Sequence, residues 1–412
     1  MINISIGLIN KRRKTLTDRE KIIEYIDKNR DELVRIASGI ISVPSISGRE
    51  NSNEMYDKEA DFLISEFAKF GIEAKKYSQA PGGSNLVAEY TGTGGGKTLA
   101  MGGHYDVVAA DETTWKTEGG FVPTVKDGNL IGRGAADMKG GLACCFMALK
   151  ALKECDIKLK GNVQFVATVD EEIGSPYGMS YLAENKIITP DFFINAEQTE
   201  MKIVVAYKGC AWMEVKVKGV TAHGSKPHLG VNAVVNAAKL IYMIDKKGVD
   251  FTPDPLLGNG SLNIGTIEGG MGINVVPDEC VFKIDGRLVP GQTYDGVIGA
   301  IRDMIAELKS QDPTFDAEVD FCARTSNAVH ISEDNQLVKA LLENSKLATG
   351  KEADLSGFIA QDDNFFFNKN GIPAIMFGPG TLDCIHKANE WVKIDELVEA
   401  AKIYALTALS VC

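Results

Sequence analysis

Near residue 210 the chain exchanges one structural grammar for another, and that switch constrains the fold more than any single motif does. Up to about residue 209, apolar runs of strand length alternate with helical patterns: "NLVAEYT", "TLAMGG", a helix over "MKGGLACCFMALKALKEC", "NVQFVATV", a helix near 177–185, and "DFFINA". Apolar strands separated by helices predict an α/β layer structure with a largely buried sheet. From 210 onward, "AWMEVKVKG" alternates apolar and polar positions, as a strand with one solvated face does. The helix "NAVVNAAKLIYMIDKK", the strands "SLNIGTIEG" and "DECVFKIDGRL", the helix "YDGVIGAIRDMIAELKS" and the strand "FDAEVDFC" follow. Their order, β-α-β-β-α-β, is that of a ferredoxin-like unit. After about residue 325 the first grammar resumes, through "PAIMFGPG" and a closing helix from Asp395. The sequence therefore predicts an α/β unit over residues 1–209 and 325–412, interrupted by an inserted α+β unit over 210–324.

A chain of 412 residues exceeds the size at which one hydrophobic core keeps growing, which agrees with two units. Its start, "MINISIGLINKRRKTLTDRE", puts apolar residues before the basic cluster, the reverse of a secretory signal. A capping box from Thr17 to Glu20 opens a long first helix over 17–42, which Pro44 ends. No run reaches the roughly 20 apolar residues of a membrane span. A net charge of −12 argues against nucleic acid or an anionic membrane as the main partner. Eight cysteines without a CxxC pair fit neither a disulfide framework nor a zinc–thiolate site, so the expectation is a reduced, cytoplasmic protein.

"TGTGGGKT", residues 91–98, imitates a phosphate-binding loop. That pattern, however, needs glycine where Thr91 stands and a helix where the strand "TLAMGG" follows. Without a helix N-terminus the anion loses both its amide donors and its dipole, and a glycine-rich turn between strands is the better reading.

Acids and histidines stand at abrupt ends of the apolar segments. "LAMGGHYDVV" closes a strand with two glycines and then His104 and Asp106, which share one side of an extended chain. Asp137 in "GRGAADMKGG" directly precedes a helix, where an aspartate commonly acts as N-cap. "VQFVATVDEEIGS" ends in Asp170, Glu171 and Glu172, and carboxylates so crowded raise one another's pKa unless a cation or donors neutralise them. "DFFINAE" ends in Glu197, and "DCIHKANEW" sets His386 after the last core strand. His104, Glu171, Glu172 and Glu197 fall outside the carboxyl ends of strands, where open α/β sheets collect ligands. Together these residues predict a metal site. Oxygen and imidazole donors without thiolate suit zinc, cobalt or manganese, and the donor set is too large for one tetrahedral zinc. Two ions sharing a bridging carboxylate would use it, with one acid left as proton shuttle.

The motifs "GHYDVV", "GRGAADMKGG", "VDEEIGS", "NAEQTE", "GVTAHGSKP", "GINVVPDECVFKIDGRLVPG" and "HKANEWV" run in order and together resemble the M20 metallopeptidase and amidohydrolase family. The resemblance implies a mixed-sheet, metal-dependent catalytic domain with an inserted ferredoxin-like dimerisation or lid domain, in a homodimer. It implies that Asp137 bridges two zinc ions, with His104 and Glu197 completing one site and Glu172 and His386 the other. Glu171 would be the general base, and Asp106 the acid that orients His104. His223 would reach a neighbouring subunit's active site, Asn274 and Arg287 would contact substrate, and Gly378 would offer its backbone amide. The implied substrate is a small amide bearing a carboxylate, which Arg287 would bind in bidentate fashion unless it serves a surface ion pair. The implied reaction is deacylation of an N-acyl amino acid. A dipeptidase or aminopeptidase is the alternative on the same scaffold, and a noncatalytic metal-binding scaffold protein the alternative of another class. One departure stands out: relatives carry glycine-threonine-aspartate where this chain reads "GFIAQDDNFF", with Asp362 and Asp363.

Overall fold

The computed structural model describes residues 16–323, 325–360 and 362–412. Its largest sheet has nine strands, eight of them in the order Ala74–Tyr77, Asn85–Tyr90, Val163–Thr168, Leu99–His104, Phe192–Asn195, Ala374–Met376, Ile203–Tyr207 and Val329–His330. The ninth, Leu355–Phe358, runs parallel to Ile203–Tyr207. The four central strands, from Val163–Thr168 through Ala374–Met376, are mutually parallel, so their carboxyl ends share one edge. Helices Lys139–Glu154 and Ile394–Val411 pack their apolar faces onto this sheet, helix Arg30–Ile41 packs against Lys139–Glu154, and the first two strands of that parallel set are buried almost throughout.

Gly102 and Gly103 explain how strand Leu99–His104 fits at the centre. A Cβ on Gly102 would lie 1.7 Å from the Val166 carbonyl oxygen, and one on Gly103 2.2 Å from the Met138 side chain. Both glycines are demanded by close approach of neighbouring chain, and that approach brings Met138, hence Asp137, against the strand end.

A second sheet is wholly antiparallel, in the order Ser261–Gly269, Glu279–Leu288, Gly209–Lys218, Asp316–Phe321. Helices Ala233–Lys247 and Tyr294–Gln311 cover one face and close a separate core with Met213, Val215, Phe282, Ile284, Leu240 and Ile301. This is the ferredoxin-like order, and the molecule is a mixed α/β fold with a separate α+β sheet. The expected boundary at residue 324 lies outside the described residues. A third, three-stranded sheet pairs Trp391–Lys393 with the hairpin Thr124–Lys126 and Asn129–Ile131.

Two local expectations change. The single first helix is two, Asp18–Lys28 and Arg30–Ile41, meeting at Asn29, whose side-chain Nδ2 donates to the Tyr25 carbonyl and competes with the helical ladder. The Thr17–Glu20 capping box does form. The "TGTGGGKT" segment is an irregular loop whose Thr93 and Gly94 amides bond to Leu159 and Lys160 carbonyls, and a strand follows it. The part of the amino-terminal reading that concerns residues 1–15 lies outside the described residues. No helix among those described is long and apolar enough to cross a membrane.

Gly102→Ala should destabilise the protein by at least about 3 kcal/mol, because no side chain but only backbone stands in the way. Gly299→Ala, in helix Tyr294–Gln311 with nothing near its added methyl, should stabilise by roughly 0.5–1 kcal/mol. Denaturant midpoints of the two variants check both.

Candidate metal centre

Three of the four central parallel strands deliver a polar side chain at or just beyond their carboxyl ends. His104 is the last residue of its strand and its side chain is 1% exposed. Its Nδ1 lies 2.9 Å from the Asp106 carbonyl oxygen and therefore carries a proton, so Nε2 is the nitrogen left for an ion or, without one, a second proton. Nε2 points at Asp137 Oδ1, 3.2 Å away, and at Glu197 Oε1, 3.3 Å away. The strand Val163–Thr168 leads to Glu171 and Glu172, and Phe192–Asn195 leads to Glu197.

Asp137 precedes helix Lys139–Glu154 but caps nothing, since the N-cap position is Met138 and has no side-chain cap bond. Its two oxygens serve two neighbours: Oδ1 faces His104, and Oδ2 lies 3.2 Å from His386 Nε2. His386 Nε2 is in turn 3.1 Å from Glu172 Oε2. His104, Asp137 and Glu197 thus form one donor triplet, and Asp137, Glu172 and His386 another, each with its ligand atoms within 4.8 Å of one another. Two ligands about 2.0–2.1 Å from a tetrahedral ion stand roughly 3.4 Å apart, close to the separations seen here. The donor set fits two ions that share Asp137.

Glu171 approaches His104 Nε2 only to 3.9 Å and belongs to neither triplet. Burial raises its pKa well above the usual carboxylate value; His104 opposes the rise, while Asp363, Glu197 and Asp106 add to it. Burial likewise lifts Glu197 to about 7 against the pull of His104. Burial works to lower His104, but Glu197, Asp106 and Asp137 hold it well above its ordinary value. Hydrogen bonds to Asp137 and Glu172 raise His386 to about 10. In the metal-free chain, therefore, protons on the two imidazoles offset the crowded carboxylates.

Asp106 meets His104 as expected and has a second set of contacts besides. The nearest acceptor for His104 is the Asp106 backbone carbonyl, with the carboxylate at 3.5 Å. The carboxylate also takes the amides of Glu171 and Glu172 at 3.1 and 3.2 Å, and the Ser47 hydroxyl. It fixes the backbone that carries both glutamates. Of the three consecutive acids, Asp170 turns away and accepts from the Tyr56 hydroxyl.

Glu390 was not singled out from sequence. It is fully buried, accepts the Ala136 and Asp137 amides at 2.9 and 3.0 Å on one oxygen, and pairs with Arg133 through the other. It holds Asp137 in place from a loop more than 250 residues away in sequence. Glu390 stands four residues after His386, in "HKANEW", and only its position in that motif hinted at a role.

The remaining expected residues lie elsewhere. His223, Asn274, Arg287 and Gly378 are all absent from the cavity lined by Asp137, Glu171, Glu172, Glu197, Asp362 and His386. His223 is exposed and bridges to Val275, the residue after Asn274. Its Nδ1 accepts the Ser225 amide, which makes Nε2 the ring nitrogen that carries the proton. Arg287 pairs with Asp285, the surface ion pair weighed against a substrate role. The Gly378 amide already donates to Thr199 Oγ1, and a Cβ there would meet the Glu197 carbonyl oxygen at 2.5 Å, so this glycine is explained by packing.

Comparison with known proteins places the chain in a family. The chain is 31% identical to acetylornithine deacetylase of Myxococcus xanthus over 356 residues, covering 84% of this chain and 90% of that protein. It is 28% identical over 420 residues to N-formyl-4-amino-5-aminomethyl-2-methylpyrimidine deformylase of Halalkalibacterium halodurans, covering 93% and 95%. Among solved structures, the Bacillus subtilis YXEP protein, described as a dinuclear metal binding peptidase from the M20 family, superposes with a TM-score of 0.70 at 17% identity, over 93% of this chain and 98% of that one. The sequence model of peptidase family M20/M25/M40 matches residues 100–410, and the chain belongs to that family.

Proposed function

We propose that the centre hydrolyses the amide bond of a small N-acylated substrate, in the manner of a deacylase. The observation that carries this reading is Glu171, an acid with raised proton affinity placed beside two donor triplets yet a member of neither. The names of the acetylornithine deacetylase and the pyrimidine deformylase lend it support, since both describe removal of an acyl group from nitrogen.

His104 and Glu197 would hold one divalent ion, Glu172 and His386 the other, with Asp137 between them; zinc suits the donors, and cobalt or manganese would fit as well. Ions held there supply Lewis acidity to the scissile carbonyl and make water acidic near neutral pH. The chain's own groups do the rest. Glu171 accepts the proton of the attacking water and returns it to the departing amine nitrogen. Asp106 keeps the Glu171 and Glu172 backbones in register, Glu390 does the same for Asp137, and the Nδ1–H of His104 locks its ring. The Nε2–H of His223 suits stabilisation of the oxyanion, and reaches it only if the inserted unit of a neighbouring copy approaches the cavity. In the same reading, residues 210–324 form the lid and dimerisation domain, and closure would bring Asn274 and Arg287 toward the substrate.

Glu171→Gln should keep both ions by elemental analysis and lose roughly 10²- to 10⁴-fold in turnover. Glu172→Ala should lose metal. Wild-type turnover in Glu171→Gln on N-acetyl, N-formyl or N-succinyl substrates overturns the base assignment, and hydrolysis of dipeptides alone favours the peptidase alternative.

Metal removal should also show in the pH dependence of stability. Burial raises Glu197 and Glu390 from an ordinary 4.5 to about 7 in the metal-free chain. Between those values the folded chain binds more protons than the unfolded one, so stability falls as pH rises. Thermal unfolding in chelator should show that fall between about pH 5 and 7, and added zinc should flatten it by favouring ionised Glu197. A chelated protein that gains stability across this window contradicts the scheme.

A further inference from the structure

Gln198 follows Glu197 directly, is buried, and lines the cavity beside the two donor triplets. A glutamine in that place could offer its amide to a substrate, but both of its N–H groups are already engaged. The end of its side chain faces two acceptors, the Ala136 carbonyl oxygen at 3.2 Å and Glu197 Oε2 at 2.9 Å, so the group that stands there is the amide nitrogen. That nitrogen has two hydrogens, and the two acceptors take both. Ala136 precedes Asp137, so one side chain ties Glu197 to the backbone that carries the shared ligand. The turn beyond it is fixed as well: the Thr199 amide donates to the Gly378 carbonyl at 3.2 Å and the Glu200 amide to the Gly380 carbonyl at 2.9 Å. Gly380 closes the packing, since a Cβ on it would lie 3.0 Å from the Ala136 Cβ and 3.4 Å from the Gln198 Cβ.

The two oxygens of Glu197 therefore differ. Oε1 faces His104 Nε2 at 3.3 Å, inside the donor triplet, whereas Oε2 carries the bond from Gln198. A carboxylate holds a cation through one oxygen or through both. Turning Oε2 onto an ion would strand a buried N–H of Gln198 without its acceptor, which is unfavourable. An acid at position 198 would instead set one more carboxylate against Glu197, and an apolar side chain would leave Oε2 free to join Oε1. Holding one oxygen back has a chemical purpose, because a catalytic ion keeps a position for water or substrate and a structural one is closed.

We infer that Gln198 is a positioning residue that confines Glu197 to ligation through Oε1 alone. The inference rests on the two-ion reading for the presence of an ion at the triplet of His104, Asp137 and Glu197. Gln198 itself touches neither ion nor substrate and acts on the reaction only through Glu197.

Cobalt(II) is the probe, because its visible absorption weakens as donor atoms are added around it. Gln198→Met keeps the length of the side chain and removes the donor. Wild-type and variant protein are stripped of metal and titrated with cobalt, and uptake is counted by elemental analysis. The variant should hold two ions and show weaker visible bands per bound ion than the wild type, since Glu197 then closes on its ion with both oxygens. A purely structural loss would leave those bands unmoved. Bands as strong as those of the wild type, or stronger, in a variant that holds two ions overturn the inference. A crystal structure of the zinc-loaded wild-type protein tests the same point without a variant, and it decides alone if Gln198→Met fails to fold or holds fewer than two ions. Oε2 should remain on Gln198; Oε2 closer than about 2.5 Å to an ion overturns the inference and leaves the two-ion reading standing. Wild-type protein that takes up neither cobalt nor zinc sinks the two-ion reading and the role of Gln198 with it.

Discussion

Mutual repulsion among carboxylates gathered at one sheet edge is the constraint on which the rest of the structure depends. Asp137, Glu171, Glu172 and Glu197 surround a single cavity, and burial removes the water that would otherwise separate their charges. Such a group is tolerable only with cations among its members. Two divalent ions would satisfy it; without them the surrounding carboxylates raise the proton affinity of His104 and His386. Burial and the same crowding raise the proton affinity of Glu171, which the proposed shuttle role requires.

Holding that arrangement is the task of groups that never touch a substrate. Four parallel strands end together, and their carboxyl ends set the positions of His104, the Glu171–Glu172 segment, Glu197 and the loop beyond Met376. Asp106 and Glu390 each spend a buried carboxylate on backbone amides adjoining the ligands. Charge-assisted bonds of this kind are stronger than neutral ones, and they replace side-chain freedom with fixed aim. Arg133 then offsets Glu390, stacked at 5.8 Å over Trp115.

Much of this could be read from the residues. Apolar runs ending in histidine or acid marked the strand ends, because a buried strand leaves no other use for such a residue at that point. The ferredoxin-like order followed from alternation alone. What escaped depended on distance in sequence. Strand Ile203–Tyr207 is as apolar as a buried helix turn of the same length, and helix Ser52–Ala68 carries a weaker apolar stripe than the other long helices. The break at Asn29 turned on one side-chain hydrogen bond. Glu390 looked like one acid in a polar loop, since its partners at 133, 136 and 137 can be known only after folding. For the same reason Gly378 resembled an amide donor for substrate until Thr199 was seen to occupy it.

The distance between Asp137 and the loop carrying His386 and Glu390 also matters while the chain is being made. The helix that follows Asp137 and the strands around it leave the ribosome long before residues 386–390, so the shared ligand stays unsupported on one side until the last few dozen residues emerge. A site built from both triplets is thus complete only once residues 386–390 have joined residues 104–197. A nascent or truncated chain lacking that final stretch would present a half-built, strongly anionic pocket rather than a weaker version of the finished one.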